Sequence, residues 1–264
     1  MPSDCGFVER CIEASQGLRW AYENEAPPFS LKQLLKHFGV ADVRPRLLDR
    51  DARLVRSDGK ILIEVNSLFP VVRRRLSIAH EIAHIIVNEV AGRDRYSVRH
   101  SEALEESLCN LLAGQLLSPD WAIRDYLEDA PAFEEWQDTV RCGTILRAAS
   151  HFGVSVDVMA RRMLQDLDLA PSKIAIVWRY RDSALRISSS WHARNERRFI
   201  PRNKTAPVSS VLVKAYENGG VHRANEELRL GSLKGMFVIE AAGFRSSAPV
   251  GIVTRAVLTL LTPS

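Results

Sequence analysis

The chain has 264 residues, a net charge of +4, 46% hydrophobic and 26% charged residues. That balance excludes a disordered or collagen-like chain, and no run approaches the roughly 18 uncharged apolar residues of a membrane span. Cys5, Cys11, Cys109 and Cys142 lack C-x-x-C spacing, which disfavours a cysteine zinc ribbon and points to reduced thiols and a cytoplasmic address.

The N-terminus has no basic flank followed by an apolar run, so it does not read as a secretory signal. Residues 7–22 carry Phe7, Ile12 and Leu18 among charges and predict an amphipathic helix that ends before Pro27-Pro28. Ser30 is placed to cap a short helix through Phe38, with Gly39 as its stop. Period-two patterning then predicts strands at Val43–Leu48, Ala52–Val55 and Ile61–Val65, the last two joined at Asp58-Gly59. After Pro70 a helix is predicted over Val71–Val90, a polar loop over Asp94–Arg99, and a second helix over Glu102–Leu117. Trp121–Leu127 predicts a short helix and Trp136–Phe152 a longer one. Gly153-Val154-Ser155 is a tight turn into a further helix over Val156–Leu167, the outline of a helix-turn-helix. Beyond Pro171 the texture changes. Lys173–Trp178 and Ala184–Ser190 alternate like paired strands turning at Arg181-Asp182. Val208–Tyr216 predicts a helix, and Met236–Ala241 and Val250–Leu261 predict strands.

Charge divides the chain in the same way. From residue 171 onward there are 4 Lys and 11 Arg against 6 Asp and Glu, a surplus of nine, so residues 1–170 are acidic by five. An acidic front and a basic back predict separate modules.

The sharpest chemical signal is His80-Glu81-Ile82-Ala83-His84. On a helix, positions i and i+4 share a face, so the two imidazoles converge on one divalent ion. Glu81, one residue on, reaches the metal's open position and is the expected general base. The flanking Leu76, Ile78, Ala79, Ile82, Ala83, Ile85, Ile86 and Val87 are apolar nearly all round, the pattern of a buried helix. A catalytic zinc site needs a third protein ligand, and the helix over 102–117 offers Glu102, Glu105 and Glu106. Glu106 shares a face with Cys109 and Asn110, and Asn110 is placed to orient a ligating His. Glu105 is the next candidate. Cys109 could bind zinc but suits a small core position.

The stretch Arg75 to His84 resembles the R-x-F-T-L-A-H-E-L-G-H motif of the ImmA/IrrE-type zinc metallopeptidases. Glu106 to Pro119 resembles that family's E-x-x-A-N-x-F-A-A-x-L-L-M-P. The likeness extends over about residues 27–170, with Ile82-Ala83 in place of Leu-Gly, Cys109 in place of Ala and Ser118 in place of Met. It implies Zn²⁺ held by His80, His84 and Glu106, with Glu81 as base. It also implies a zincin-like α+β peptidase fold with an active-site helix and a small antiparallel or mixed sheet. A helix-turn-helix-like segment and a small α/β, GAF-like C-terminal domain follow. The corresponding boundaries are 1–130, 131–170 and 171–264. The implied substrate is a protein, a helix-turn-helix transcriptional repressor cut in a stress, DNA-damage or mobile-element defence response. In zinc peptidases of this type a sheet edge beside the cleft presents the substrate, and the strand Lys60–Asn66 is expected to be that edge.

The remaining features carry less. Tyr96, Arg99 and His100, between the two metal helices, are candidates for a second oxyanion donor. Arg161 and Arg162 on the second helix of the helix-turn-helix outline invite a DNA contact, but acidic Glu134, Glu135 and Asp138 precede them. Arg194, Arg197, Arg198, Arg202 and Lys204, with Phe199 interleaved, form a basic stretch more typical of a solvated loop than of a nucleic-acid contact. His37, His151, His192 and His222 have no ligand spacing. The expected function is a regulatory zinc endopeptidase. The alternative is a DNA-binding or signalling regulator whose zinc site is inactive or structural, a reading that gives Glu81 no role.

Overall fold

A computed structural model describes residues 3–93, 101–129, 140–193, 199–207, 210–247 and 253–263. Tyr96, Arg99, His100, Glu134, Glu135, Asp138, Arg194, Arg197 and Arg198 lie outside the described residues. The chain forms two compact units, Met1–Ile123 with His151–Val154, and Arg124–Ser150 with Ser155–Ser264. No described helix is long and apolar enough to cross a membrane.

In the first unit, α1 (Ser3–Gln16) runs into a 3₁₀ turn (Gly17–Tyr22), and α2 (Lys32–His37) stops at Gly39, whose φ of +66° suits the residue after a helix end. Three strands follow, β1 (Val40–Arg46), β2 (Ala52–Ser57) and β3 (Lys60–Asn66). Asp58 and Gly59 turn the β2–β3 hairpin with φ of +51° and +72°, the two left-handed residues of a tight hairpin turn. The sheet order is β1-β3-β2, with β1 parallel and β2 antiparallel to β3.

That order corrects one expectation. Lys60–Asn66 is the central strand, paired on both sides, and its Ile63 is fully buried. It has no free edge to offer a substrate. β2 is an edge strand, with no second strand partner among the described residues.

Helix α3 (Val71–Arg93) begins with Arg74 N–H bonded to the Pro70 carbonyl and buries Ala79, Ile82, Ala83 and Ile86. Helix α4 (Glu102–Leu117) starts at Ser101, whose side chain accepts from Leu104 N–H and satisfies one of the free donors of the first turn. Its second half is buried nearly all round. Ser15 Oγ donates to the buried Gln115 at 2.8 Å, and Tyr22 Oη donates to the Leu116 carbonyl at 2.7 Å, tying the N-terminal segment to α4. Asp120–Glu128 forms α5 and Cys142–Phe152 forms α6.

In the second unit, α7 (Val156–Arg161) continues into a wide π turn (Arg162–Asp166). Five strands make one antiparallel sheet: β4 (Ile174–Arg181), β5 (Ala184–Trp191), β6 (Val221–Leu230), β7 (Leu233–Ser247) and β8 (Val253–Pro263), in the order β5-β4-β8-β7-β6. Helix α8 (Val211–Asn218) buries Val211, Leu212 and Ala215 in a core with Ile176, Trp178, Ile239 and Val257. The β4–β5 turn is Asp182-Ser183, one residue later than the sequence pattern indicates. Strand β6 carries no apolar alternation before Leu228, and only its register against β7 reveals it.

The helix-turn-helix outline is packed, not presented. Cys142 N–H at the start of α6 donates to Glu240 Oε1 of β7 at 2.6 Å. Asp157 of α7 accepts from Arg179 at 2.8 Å and from Ser189. Arg162, 1% exposed, pairs with the buried Asp166 at 3.2 Å. Arg161 lies 5.9 Å from the centre of the Trp191 ring. These are the two arginines that invited a phosphate contact, and one of them is buried.

Candidate metal centre

His80 and His84 sit one turn apart on α3 and turn the same edge toward each other. Their Nε2 atoms are 3.2 Å apart, with ring planes at 79°. Glu106 of α4 closes the triangle. One carboxylate oxygen is 3.3 Å from His80 Nε2 and the other 3.4 Å from His84 Nε2. Donor atoms from all three residues lie within 4.8 Å of one another. Two imidazole nitrogens and one carboxylate are the donor chemistry of a three-ligand zinc site that leaves a vertex free, so the residues present fit that ion.

The neighbours of the triangle hold it in place. Asn110, one turn after Glu106, donates to the Glu106 carbonyl at 2.8 Å, and its side chain also hydrogen-bonds His80. Glu105 and Cys109 approach the opposite edge of His84, with Oε1 at 3.0 Å and Sγ at 3.4 Å from Nδ1. The sequence places Glu106 first as the third ligand and Glu105 as the next candidate. In the structure they face different nitrogens of His84, and only Glu106 reaches both Nε2 atoms. Burial first, and the nearby His84 second, hold His80 below the ordinary histidine value, against the pull of Glu106 and Asn110. The neutral ring this favours is the form that ligates a metal. Burial pushes the Cys109 thiol up, and the Glu105 and Glu106 charges add to it.

Glu81 points into the same cleft. Its carboxylate accepts from the Leu54 backbone N–H, on edge strand β2. Burial raises its proton affinity, while His84, Leu54 N–H and Arg50 pull the other way. The cleft has a volume of about 540 Å³, with β2 and Arg50 along one wall and His80, His84, Glu106 and Asn110 across from them. The loop before β2 is fixed by Asn66, whose amide donates to the Leu48 and Arg50 carbonyls at 2.7 and 3.1 Å. Asp51 takes a two-pronged bond from Arg73, both prongs at 2.9 Å. Arg75, the first residue of the motif-like stretch, donates to the Phe29 carbonyl at 3.0 Å.

Leu54 and Arg50 are contributions that the sequence did not signal. A backbone N–H has no residue-type signature, and Arg50 lies in a loop whose course depends on Asn66. His37, His192 and His222 are absent from the donor clusters found among the described residues.

Residues 35–164 match the family model Peptidase_M78, the IrrE N-terminal-like domain. No curated protein matches the chain. Among solved structures, a Mycobacterium tuberculosis transcriptional regulator resembles it with a TM-score of 0.60 and 16% identity, over 97% of this chain and 76% of the other. At that identity the likeness concerns the fold.

Proposed function

Residues 35–164 belong to the ImmA/IrrE-type, Peptidase_M78 family, and from that premise we propose that the chain is a zinc-dependent endopeptidase with a regulatory role. The observation that carries the reading is the meeting of His80 Nε2, His84 Nε2 and the Glu106 carboxylate in a cleft that Glu81 also enters.

His80, His84 and Glu106 are the residues that would hold the ion. Bound there, Zn²⁺ supplies Lewis acidity toward water and toward a peptide carbonyl. Glu81 takes the proton of the attacking water and returns it to the leaving amine. Its raised proton affinity suits a group that must hold a proton between those two events. Asn110 steadies His80 and the backbone of Glu106 at once. The free edge of β2 is the surface on which an extended substrate would pair, and Leu54 N–H lies on it beside Glu81. Tyr96 and His100, between the two helices in the chain, are candidates for a second oxyanion donor.

The substrate class in this reading is a helix-turn-helix transcriptional repressor, cut in a stress, DNA-damage or mobile-element defence response. The C-terminal sheet with α8 on one face is read as a small α/β, GAF-like sensor or interaction domain. The division in this reading is a peptidase domain, 1–130, a helical bracket, 131–170, and the C-terminal domain, 171–264. The free thiols of Cys11, Cys109 and Cys142 accord with a cytoplasmic address. The packing of Arg162 and Arg161 supports a bracket role for α7 over a DNA contact.

The test is cleavage of repressors encoded beside this gene by the zinc-loaded wild type and by Glu81→Gln. Cleavage by the wild type with loss of at least about 100-fold in the variant is the expected result. Equal cleavage by both would end the mechanism, and salt-dependent DNA binding without cleavage would favour the regulator reading.

A further inference from the structure

We propose that Glu105 is a positioning residue for the metal centre: it accepts the Nδ1–H of His84 and thereby commits that ring's Nε2 to the ion. The inference rests on the reading of His80, His84 and Glu106 as zinc ligands, and its test separates the two.

A neutral imidazole has one donor nitrogen and one acceptor nitrogen, and a neighbouring acceptor decides which is which. Glu105 Oε1 lies 3.0 Å from His84 Nδ1. An ionised carboxylate only accepts, so it selects the tautomer with the proton on Nδ1 and leaves the Nε2 lone pair free. That lone pair is on the edge that faces His80 Nε2 at 3.2 Å and Glu106 at 3.4 Å. Two successive residues of α4 therefore address opposite edges of one ring. Glu106 meets it as a fellow ligand, and Glu105 turns it. Asn110 does the comparable service for His80, so each imidazole has its own orienting side chain on α4.

A rival arrangement uses the same atoms. His84, Glu105 and Cys109 also place donor atoms within 4.8 Å of one another. For that group to hold an ion while the first site is filled, His84 would have to give up its ring proton and ligate through both nitrogens.

The experiment measures zinc affinity of the full chain by competition with a chromophoric chelator, together with zinc stoichiometry and the visible spectrum of the Co²⁺-substituted protein. Wild type, Glu105→Ala, Glu105→Gln and Cys109→Ala are compared, with Glu102→Ala, exposed one turn earlier, as control. Thermal melts confirm folding. The expected result is one zinc per chain, an affinity about 10–100-fold weaker in Glu105→Ala, an intermediate loss in Glu105→Gln, whose amide oxygen still accepts, and no change in Glu102→Ala. A Co²⁺ spectrum altered in Glu105→Ala but retaining its ligand-field intensity would show a re-aimed ligand, not a lost one. Wild-type affinity in Glu105→Ala would overturn the proposal. A loss as complete as that of Glu106→Ala, or a second zinc that Cys109→Ala removes, would make Glu105 a ligand and overturn it as well. A wild type that binds no zinc would remove the underlying reading and this inference with it.

Discussion

His80 and His84 face each other through Nε2 atoms 3.2 Å apart on one helix. Two imidazolium rings this close would repel each other, whereas two neutral imidazoles and the Glu106 carboxylate together suit a divalent cation. Removing any one ligand should therefore cost more than removing an orienting neighbour. His80→Ala, His84→Ala and Glu106→Ala are each expected to weaken zinc binding by more than about 100-fold, the upper end for second-sphere changes. Isothermal titration with Zn²⁺ checks this, and retained affinity in any of the three would exclude that residue as a ligand.

The two strands of the β2–β3 hairpin should respond differently to proline. Ile63 is fully buried in the central strand, so Ile63→Pro breaks the ladder and the core together and is expected to abolish folding. Leu54 is in the edge strand with its N–H turned to Glu81. Leu54→Pro is expected to leave a cooperative thermal transition but to lower kcat/KM about tenfold or more, through loss of the pairing edge. Unchanged cleavage by a folded Leu54→Pro protein would remove β2 as the docking edge.

Arg162 and Asp166 are a buried ion pair, 1% and 3% exposed at the side chain. Removing the Arg162 guanidinium takes the 3.2 Å partner from a buried carboxylate that keeps Arg161 Nε at 3.6 Å, which costs up to about 3–5 kcal/mol. Arg162→Ala should show this as a lower urea midpoint. The double variant Arg162→Met with Asp166→Leu should recover much of it, because the buried carboxylate is removed along with its guanidinium partner. Stability equal to wild type in Arg162→Ala would contradict the burial.

Cys142 should make the protein sensitive to alkali. Burial first, and the Glu240 charge second, raise its thiol well above the ordinary value. The folded state then keeps the proton at a pH where the unfolded chain has lost it. The stabilisation is complete below the unfolded thiol value and fades as pH rises past about 8.5. The melting temperature of wild type should fall faster above that pH than that of Cys142→Ala. Parallel curves would contradict the assignment.

Helices α3 and α4 are legible in the sequence because their signals are local. Eight of the residues around His80 and His84 are apolar in the pattern of a buried helix, and His80, Glu81 and His84 stand out by spacing alone. Spacing alone does not choose between Glu105 and Glu106, two glutamates at the start of one helix. The motif resemblance places Glu106 first, and the rotation of α4 against α3 turns the two to different nitrogens of His84. The edge strand was misassigned for a similar reason. A hairpin fixes that β2 and β3 pair, but β1 reaches β3 from a distance and in parallel, and nothing in its sequence says which hairpin strand it joins. β6 escaped notice because His222, Ala224 and Glu226 stand at its inward positions before the apolar Leu228. The burial of Arg162 is not legible in the sequence, because it depends on Asp166 and the sheet packed beside it.

The most direct measurement is anomalous diffraction at the zinc edge from crystals of the zinc-loaded chain. A single peak bonded to His80 Nε2, His84 Nε2 and the Glu106 carboxylate, at about 2.0–2.2 Å, is the predicted result. A peak on the Nδ1 side of His84, between Glu105 and Cys109, or no peak in the cleft, would contradict it.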